Sequence, residues 1–169
     1  PAEAISSFLE REGGYLRMED FAAHETTWTA PVEGTYLEHR ILVLPPNTQG
    51  IAQISLMEMA AEHDLAAMGH NTVDYLHTLI ELKKLAFADR DRWVADPEFA
   101  DIPLDRLLDE SYLRRRAGKV GAIAAENVAP GIDGPVPTDA RQGDADDSGD
   151  TVYITAVDQW GNAVSWIQS

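Results

Sequence analysis

The sequence predicts an α+β fold, and three observations carry that reading. Apolar residues recur at helical spacing through several segments of the first 117 residues. Two stretches, 28–44 and 151–169, instead alternate with the period of two that a strand requires. Between them, from about 124 to 150, the composition turns to Gly, Pro, Asp and Ala, which sets the last stretch apart.

The elements follow in order. "PAEAISSFLEREGG" places Ile5, Phe8 and Leu9 on one helical face, and Gly13-Gly14 stops the helix. "RMEDFAAH" reads as a short helical turn. "TWTAPVEGTYLEHRILVLPP" alternates through Tyr36 and Leu37 and continues apolar from Ile41 to Leu44. Its hairpin turn is expected at Glu33-Gly34 or their neighbours. Pro45-Pro46 ends the second strand, because proline cannot donate to a ladder. "NTQG" is a loop and helix start. "IAQISLMEMAAEHDLAAMG" then keeps Ile51, Ile54, Met57 and Ala61 in helical register, with Gly69 as its C-cap.

Asn71 is expected to cap the next and longest helix, with Asp74 favourably placed in its first turn. Val73, Leu76, Ile80 and Phe87 mark one stripe along it, widened by Leu79, Leu82, Ala86 and Trp93. So wide an apolar surface predicts burial between two layers. "DPEFADIP" is a loop, and "LDRLLDESYLRRRAGKV" predicts one more helix. Residues 124–150 read as a flexible acidic connector, too poor in apolar residues to pack. Finally, "TVYITAV" and "AVSWIQS" flank the turn "DQWGN" and predict a β-hairpin.

Composition narrows the function. The balance of 13 basic against 29 acidic residues gives a formal net charge of −16 and argues against nucleic acid or an anionic membrane as partner. Solubility is the plain reading of such acidity. With no cysteine, disulfides, thiol nucleophiles and thiolate metal sites are excluded. No apolar run approaches the ~20 residues of a membrane-spanning helix. Composition leaves the compartment unknown. The start at Pro1 and the end at Ser169, within a strand pattern, lead to the expectation of a piece of a larger protein.

Several residues could carry chemistry. Thr151 sits at the seam between the acidic connector and the hairpin. A threonine hydroxyl is a weak nucleophile without a base beside it. A free α-amine, titrating near ~8, can be that base. Thr151 therefore becomes a competent nucleophile only if the chain is cut between Asp150 and Thr151. His63, His70 and His77 are spaced by seven, wider than the three to five residues of zinc pairs, and read as surface or helix-packing histidines. Asp144, Asp146, Asp147 and Asp150 lack the spacing of a calcium loop and read as solvated linker. Arg114 to Arg116 read as a helix end answering its dipole, and Asp89 to Arg92 as an exposed, salt-bridged face. "LPPNTQG" reads first as a strand-to-helix turn and second as a helix N-terminus suited to an anion. No cofactor and no metal are called for.

The end of the chain, "GDTVYITAVDQWGNAVSWIQS", resembles the start of the small subunit in the γ-glutamyltranspeptidase family. Thr151, Val157-Asp158, Gly161-Asn162-Ala163-Val164-Ser165 and Ser169 fall on that family's cleavage threonine, its Val-Asp-x-x-Gly-Asn-Ala-Val-Ser run and its second hydroxyl residue. "GGYLRMEDF", "VLPPNTQG" and "GHNTVDYLHTLIELKKLAFADRDRWVADPEF" are similar to further family segments, in the same order.

The resemblance implies an N-terminal-nucleophile hydrolase with an α/β/β/α sandwich, present here in part. Residues 1–150 would be the end of the large subunit and 151–169 the first hairpin of the small one. The two would stay paired after self-cleavage, with a homodimer of such heterodimers as a further expectation. Thr151 would be nucleophile and, once cut, α-amine base. Ser169 would hydrogen-bond it, and the substrate would be a small γ-glutamyl or related amide. Thr151-Val152-Tyr153 departs from the Thr-Thr-His of transpeptidases and looks more like acylase or amidohydrolase members. Residues that grip a glutamyl group and form an oxyanion hole are expected outside these 169 residues. An acylase without transpeptidation, and a non-catalytic binding or assembly relative, are the competing readings.

Overall fold

The computed structural model describes residues 1–134 and 151–168. The chain divides into two compact units, Pro1–Gly134 and Pro135–Ser169. The described residues mix helices with two separate two-stranded antiparallel sheets, as an α+β chain should.

The first unit opens with α1 (Ala2–Arg11) and α2 (Met18–Ala23). The stop at the glycine pair is a Schellman motif. Gly13 takes a φ of 78° and the Gly14 amide reaches back to the Leu9 carbonyl at 2.7 Å. The expected apolar face is not buried, since Ile5 and Phe8 remain exposed and Ser6 is the residue turned inward.

Strands β1 (Val32–Tyr36) and β2 (His39–Val43) pair from Val32↔Val43 to Tyr36↔His39. Their turn is therefore Leu37-Glu38, with Leu37 at a φ of 52°, and not Glu33-Gly34. Gly34 lies mid-strand for a packing reason: a Cβ there would overlap Ile54 of the following helix. That close approach lets the Thr35 amide donate to the Glu58 carboxylate at 2.9 Å.

Helix α3 (Gly50–Ala61) runs against the hairpin and is the most buried element, with Ile54 and Met59 fully enclosed. The inward set includes Ala52, Ser55, Met59 and Ala60, while Ala61 is exposed and Met57 half-buried. The helical pattern does not continue to Gly69. Asp64 accepts from the Ala67 amide at 3.0 Å and starts a separate turn, α4 (Leu65–Met68), which Gly69 closes at a φ of 81°.

Helix α5 (Val73–Trp93) is the longest, as expected, but Thr72 caps it, its hydroxyl accepting from the Tyr75 amide at 3.3 Å. Asn71 instead takes the left-handed conformation before the cap, at a φ of 59°. The buried stripe is Thr78, Leu82, Leu85, Ala86, Asp89 and Trp93. Val73, Leu76 and Ile80 are exposed, so the stripe that leads in the sequence is not the one packed here. The last helical segment is also two elements. α6 (Leu104–Leu107) ends before Asp109, whose carboxylate accepts from the Tyr112 amide at 2.8 Å and opens α7 (Glu110–Ala117).

A buried charged cluster holds α5, α7 and the following loop together. Arg116 and Asp89 are almost wholly enclosed and meet through two contacts, at 3.1 and 3.2 Å. Arg116 also donates to the carbonyls of Leu85 and Ala129, at 2.8 and 3.1 Å. Asp89 further accepts from the Tyr112 hydroxyl at 2.6 Å and the Gly131 amide at 2.7 Å. Burial and the Asp89 charge push the Tyr112 phenol well above its usual range.

The described part of the stretch expected as a connector, residues 124–134, makes specific contacts with the helices. Ile132 is buried and Val128 packs on the core. Glu81 accepts from the Ala125 amide while Lys84 donates to the Ala125 carbonyl, at 3.0 and 2.8 Å. Arg92 donates to the Gly134 carbonyl. Backbone polar groups fasten this stretch, so its low apolar content did not free it. Residues 135–150 lie outside the described residues.

The second unit contributes β3 (Val152–Val157) and β4 (Ala163–Gln168), the expected hairpin, paired from Val152↔Gln168 to Val157↔Ala163.

Two outcomes follow for stability. Arg116→Met strands the Asp89 carboxylate in the core and should cost about 3–5 kcal/mol, read by urea denaturation; Asp89→Leu beside it should recover part of that loss. Glu81 is held below the usual carboxylate range by the Lys84 ammonium, then by the Ala125 amide, with burial opposing. Its folded value is the lower one, so its contribution is complete above the ordinary value of 4.5 and is lost as pH falls through the folded value. The stability gap between the parent and Glu81→Gln should therefore be full at neutral pH and close in acid, measured by denaturation across that range.

Candidate active site

The β3–β4 hairpin is built by its turn. The Asp158 carboxylate accepts from the amides of Trp160 and Asn162, each at 2.9 Å, and from the Asn162 side chain at 2.7 Å. The Asn162 side chain, followed by these backbone donors, holds the Asp158 carboxyl below its usual range. Gly161 supplies a φ of 83°, and its amide donates to the Asp158 carbonyl at 3.1 Å. Asp158, Gly161 and Asn162 are therefore turn residues, and their spacing is explained by the loop they close.

Alternation then assigns faces. Thr151, Tyr153, Thr155 and Val157 share one face of the strand, opposite Ala163, Ser165 and Ile167. On that face the Tyr153 hydroxyl and the Ser165 hydroxyl are 2.9 Å apart and hydrogen-bonded. Thr151 is exposed and stands immediately before β3, where a cut would leave it as a strand-leading terminus. Asp150 and Ser169 lie outside the described residues.

The remaining candidates do not converge. Among the described residues no group of three His, Asp or Glu side chains is placed to hold a metal. His63 is half-buried, His70 meets the Tyr75 ring edge-on at 5.9 Å, and His77 hydrogen-bonds the Gly121 carbonyl at 2.7 Å. Asp144, Asp146 and Asp147 lie outside the described residues. The arginine run divides. Arg114 pairs with Glu62 and Glu110 at 3.2 and 2.7 Å, whereas Arg116 is buried. Asp89 is likewise buried, which corrects the exposed salt-bridged face expected for 89–92. "LPPNTQG" forms a strand-to-helix turn, the Thr48 hydroxyl donating to the Leu44 carbonyl at 2.8 Å. A cleft of about 710 Å³ beside it is walled by Pro45, Pro46, Pro97 and Phe99, with Thr29, Glu98 and Asp101 also on its lining.

The Tyr153–Ser165 bond was not foreseen. The signal was present: two hydroxyl side chains fall on the face that Thr151 shares, two residues from it on one strand and across from Thr155 on the other.

Comparison with known proteins decides the family. The model described as Gamma-glutamyltranspeptidase matches residues 1–169. The chain belongs to the gamma-glutamyltranspeptidase family. A glutathione hydrolase-like YwrD proenzyme of Bacillus subtilis (strain 168) is 36% identical over 168 residues, covering 99% of this chain and 29% of its own. An acylase ACY 1 proenzyme of Pseudomonas sp. (strain V22) is 28% identical, covering 98% and 28%. Among solved structures, the gamma-glutamyltranspeptidase from Pseudomonas nitroreducens aligns with a TM-score of 0.67 at 29% identity, over 78% of this chain and 41% of that one. The cephalosporin acylase from Bacillus halodurans aligns with a TM-score of 0.61 at 31% identity, over 71% and 22%. The chain thus spans under a third of the curated relatives it matches.

The turn makes one prediction. Gly161→Ala forces a side chain into the left-handed region and should cost about 1–2 kcal/mol, seen as a lower thermal unfolding midpoint.

Proposed function

We propose that the protein containing this chain is a self-cleaving threonine hydrolase or transferase acting on γ-glutamyl or related small amides. The carrying observation is the position of Thr151, at the start of β3 in a chain matched throughout by the gamma-glutamyltranspeptidase family. In this reading the Thr151 hydroxyl attacks the Asp150 carbonyl. The peptide nitrogen leaves as an amine, and the acyl group passes to oxygen as an ester. Water then hydrolyses that ester, freeing the Asp150 carboxylate and restoring the Thr151 hydroxyl beside its new α-amine. The α-amine next takes the proton from the same hydroxyl as it attacks a substrate amide.

Ser169 is the hydrogen-bond partner of this nucleophile. The antiparallel register, whose outermost described pair is Val152↔Gln168, supports this reading. Residues 1–150 and 151–169 are then the end of the large subunit and the start of the small one, paired after the cut, in an α/β/β/α sandwich that the remainder of the protein completes. A homodimer of these heterodimers belongs to the same reading.

A second reading is an acylase without transpeptidation. The Thr151-Val152-Tyr153 sequence and the likeness to acylases favour it. The glutathione hydrolase-like relative, at the higher identity, supports the first.

Intact-mass analysis of the full-length protein over time should show two fragments, the smaller beginning at Thr151. Thr151→Ala should stay whole. Ser169→Ala should slow cleavage about 10–100-fold, the cost of one hydrogen bond to a group that becomes charged, while Ser169→Thr should keep it. A folded parent that remains uncut would instead promote the binding or assembly reading.

A further inference from the structure

We infer that Tyr153, tied to Ser165, is a positioning residue for Thr151; this rests on the reading of Thr151 as nucleophile. Thr151 precedes the strand, where the last described ladder pair is Val152↔Gln168. Strand ends open more readily than strand centres. A nucleophile at such an end needs restraint beyond the backbone ladder. Attack requires the reacting atoms to meet at about 3–3.5 Å, and a displacement of about 1 Å can cost about a hundredfold.

Tyr153 is the next residue on the same face, about 6.7 Å along the strand. It pairs in the ladder with Ile167, but its hydroxyl reaches diagonally to Ser165, which pairs with Thr155. The 2.9 Å bond therefore ties two successive rows of the hairpin across the strands. It does so on the face of Thr151, just inboard of it. A tyrosine has only two side-chain torsions, so fixing its hydroxyl also fixes the ring and limits the twist of β3 at that row. On this face Val157, Ala163 and Ile167 are apolar, while Thr155, paired with Ser165, carries a further hydroxyl. There the Tyr153 and Ser165 hydroxyls satisfy each other, and the pair becomes more costly to break once the hairpin is covered.

Self-cleavage tests this without choosing a substrate. The full-length parent, Tyr153→Phe, Ser165→Ala, Ser165→Thr and the Tyr153→Phe/Ser165→Ala double variant are compared. The first-order appearance of the fragment beginning at Thr151 is followed by intact mass, beside each protein's thermal unfolding midpoint. Tyr153→Phe and Ser165→Ala should each slow cleavage about tenfold. The double variant should be no slower than either, and Ser165→Thr, which keeps the hydroxyl, should match the parent. Parent-like rates in Tyr153→Phe and Ser165→Ala, additive losses in the double variant, no retention by Ser165→Thr, or slowing only in proportion to a lower midpoint would each overturn the inference while leaving the nucleophile intact. A parent that never cleaves overturns the reading of Thr151, and this inference with it.

Discussion

The first unit depends on a charge pair placed where charges are costly. Asp89 and Arg116 are enclosed in an apolar core, and such a pair is tolerated only when its remaining lone pairs and protons are met. Here the Asp89 carboxylate accepts from Arg116, Tyr112 and Gly131, and Arg116 reaches the carbonyls of Leu85 and Ala129. Those partners come from α5, α7 and the loop after α7. Satisfying one buried carboxylate therefore sets the approach of two helices and the path of the chain toward Gly134. The apolar contacts of Leu82, Leu85, Leu113 and Ile132 fill the space that this geometry defines.

The second unit obeys a different constraint. A lone two-stranded hairpin is at best marginally stable in water. This one is held by its turn, in which Asp158, Gly161 and Asn162 satisfy one another, and by its ladder. Both of its faces carry exposed apolar side chains: Val152, Ile154 and Trp166 on one, Tyr153, Val157 and Ile167 on the other. A strand pair apolar on both faces suits the interior of a layered fold. That pattern agrees with the sandwich proposed for the complete protein.

Much of the site was legible because its determinants are local. Turn chemistry and period-two alternation sit within the last 19 residues, so the hairpin and the position of Thr151 at its start could be read directly. The Tyr153–Ser165 bond is harder to see, because it needs the register of the hairpin and not only its existence. The helices were legible as helices, and their breaks less so. Asp64 and Asp109 each divide a segment whose apolar spacing continues through them, because a side-chain cap can end one helix and start another without disturbing the pattern.

The sequence by itself determined the kinds of element, the hairpin with its turn, the candidate threonine and the family resemblance, all of which rest on neighbours a few residues apart or on motifs held in order. The tertiary structure decided which face of α5 turns inward, why Gly34 lies in a strand, and that 121–134 is fastened to the helices. It also decided that Asp89 and Arg116 are core residues and not surface charges. Each of these depends on a partner twenty or more residues away: Ile54 for Gly34, Glu81 for Ala125, Arg116 for Asp89. A charge or a glycine carries no mark of such a partner until the chain has folded around it.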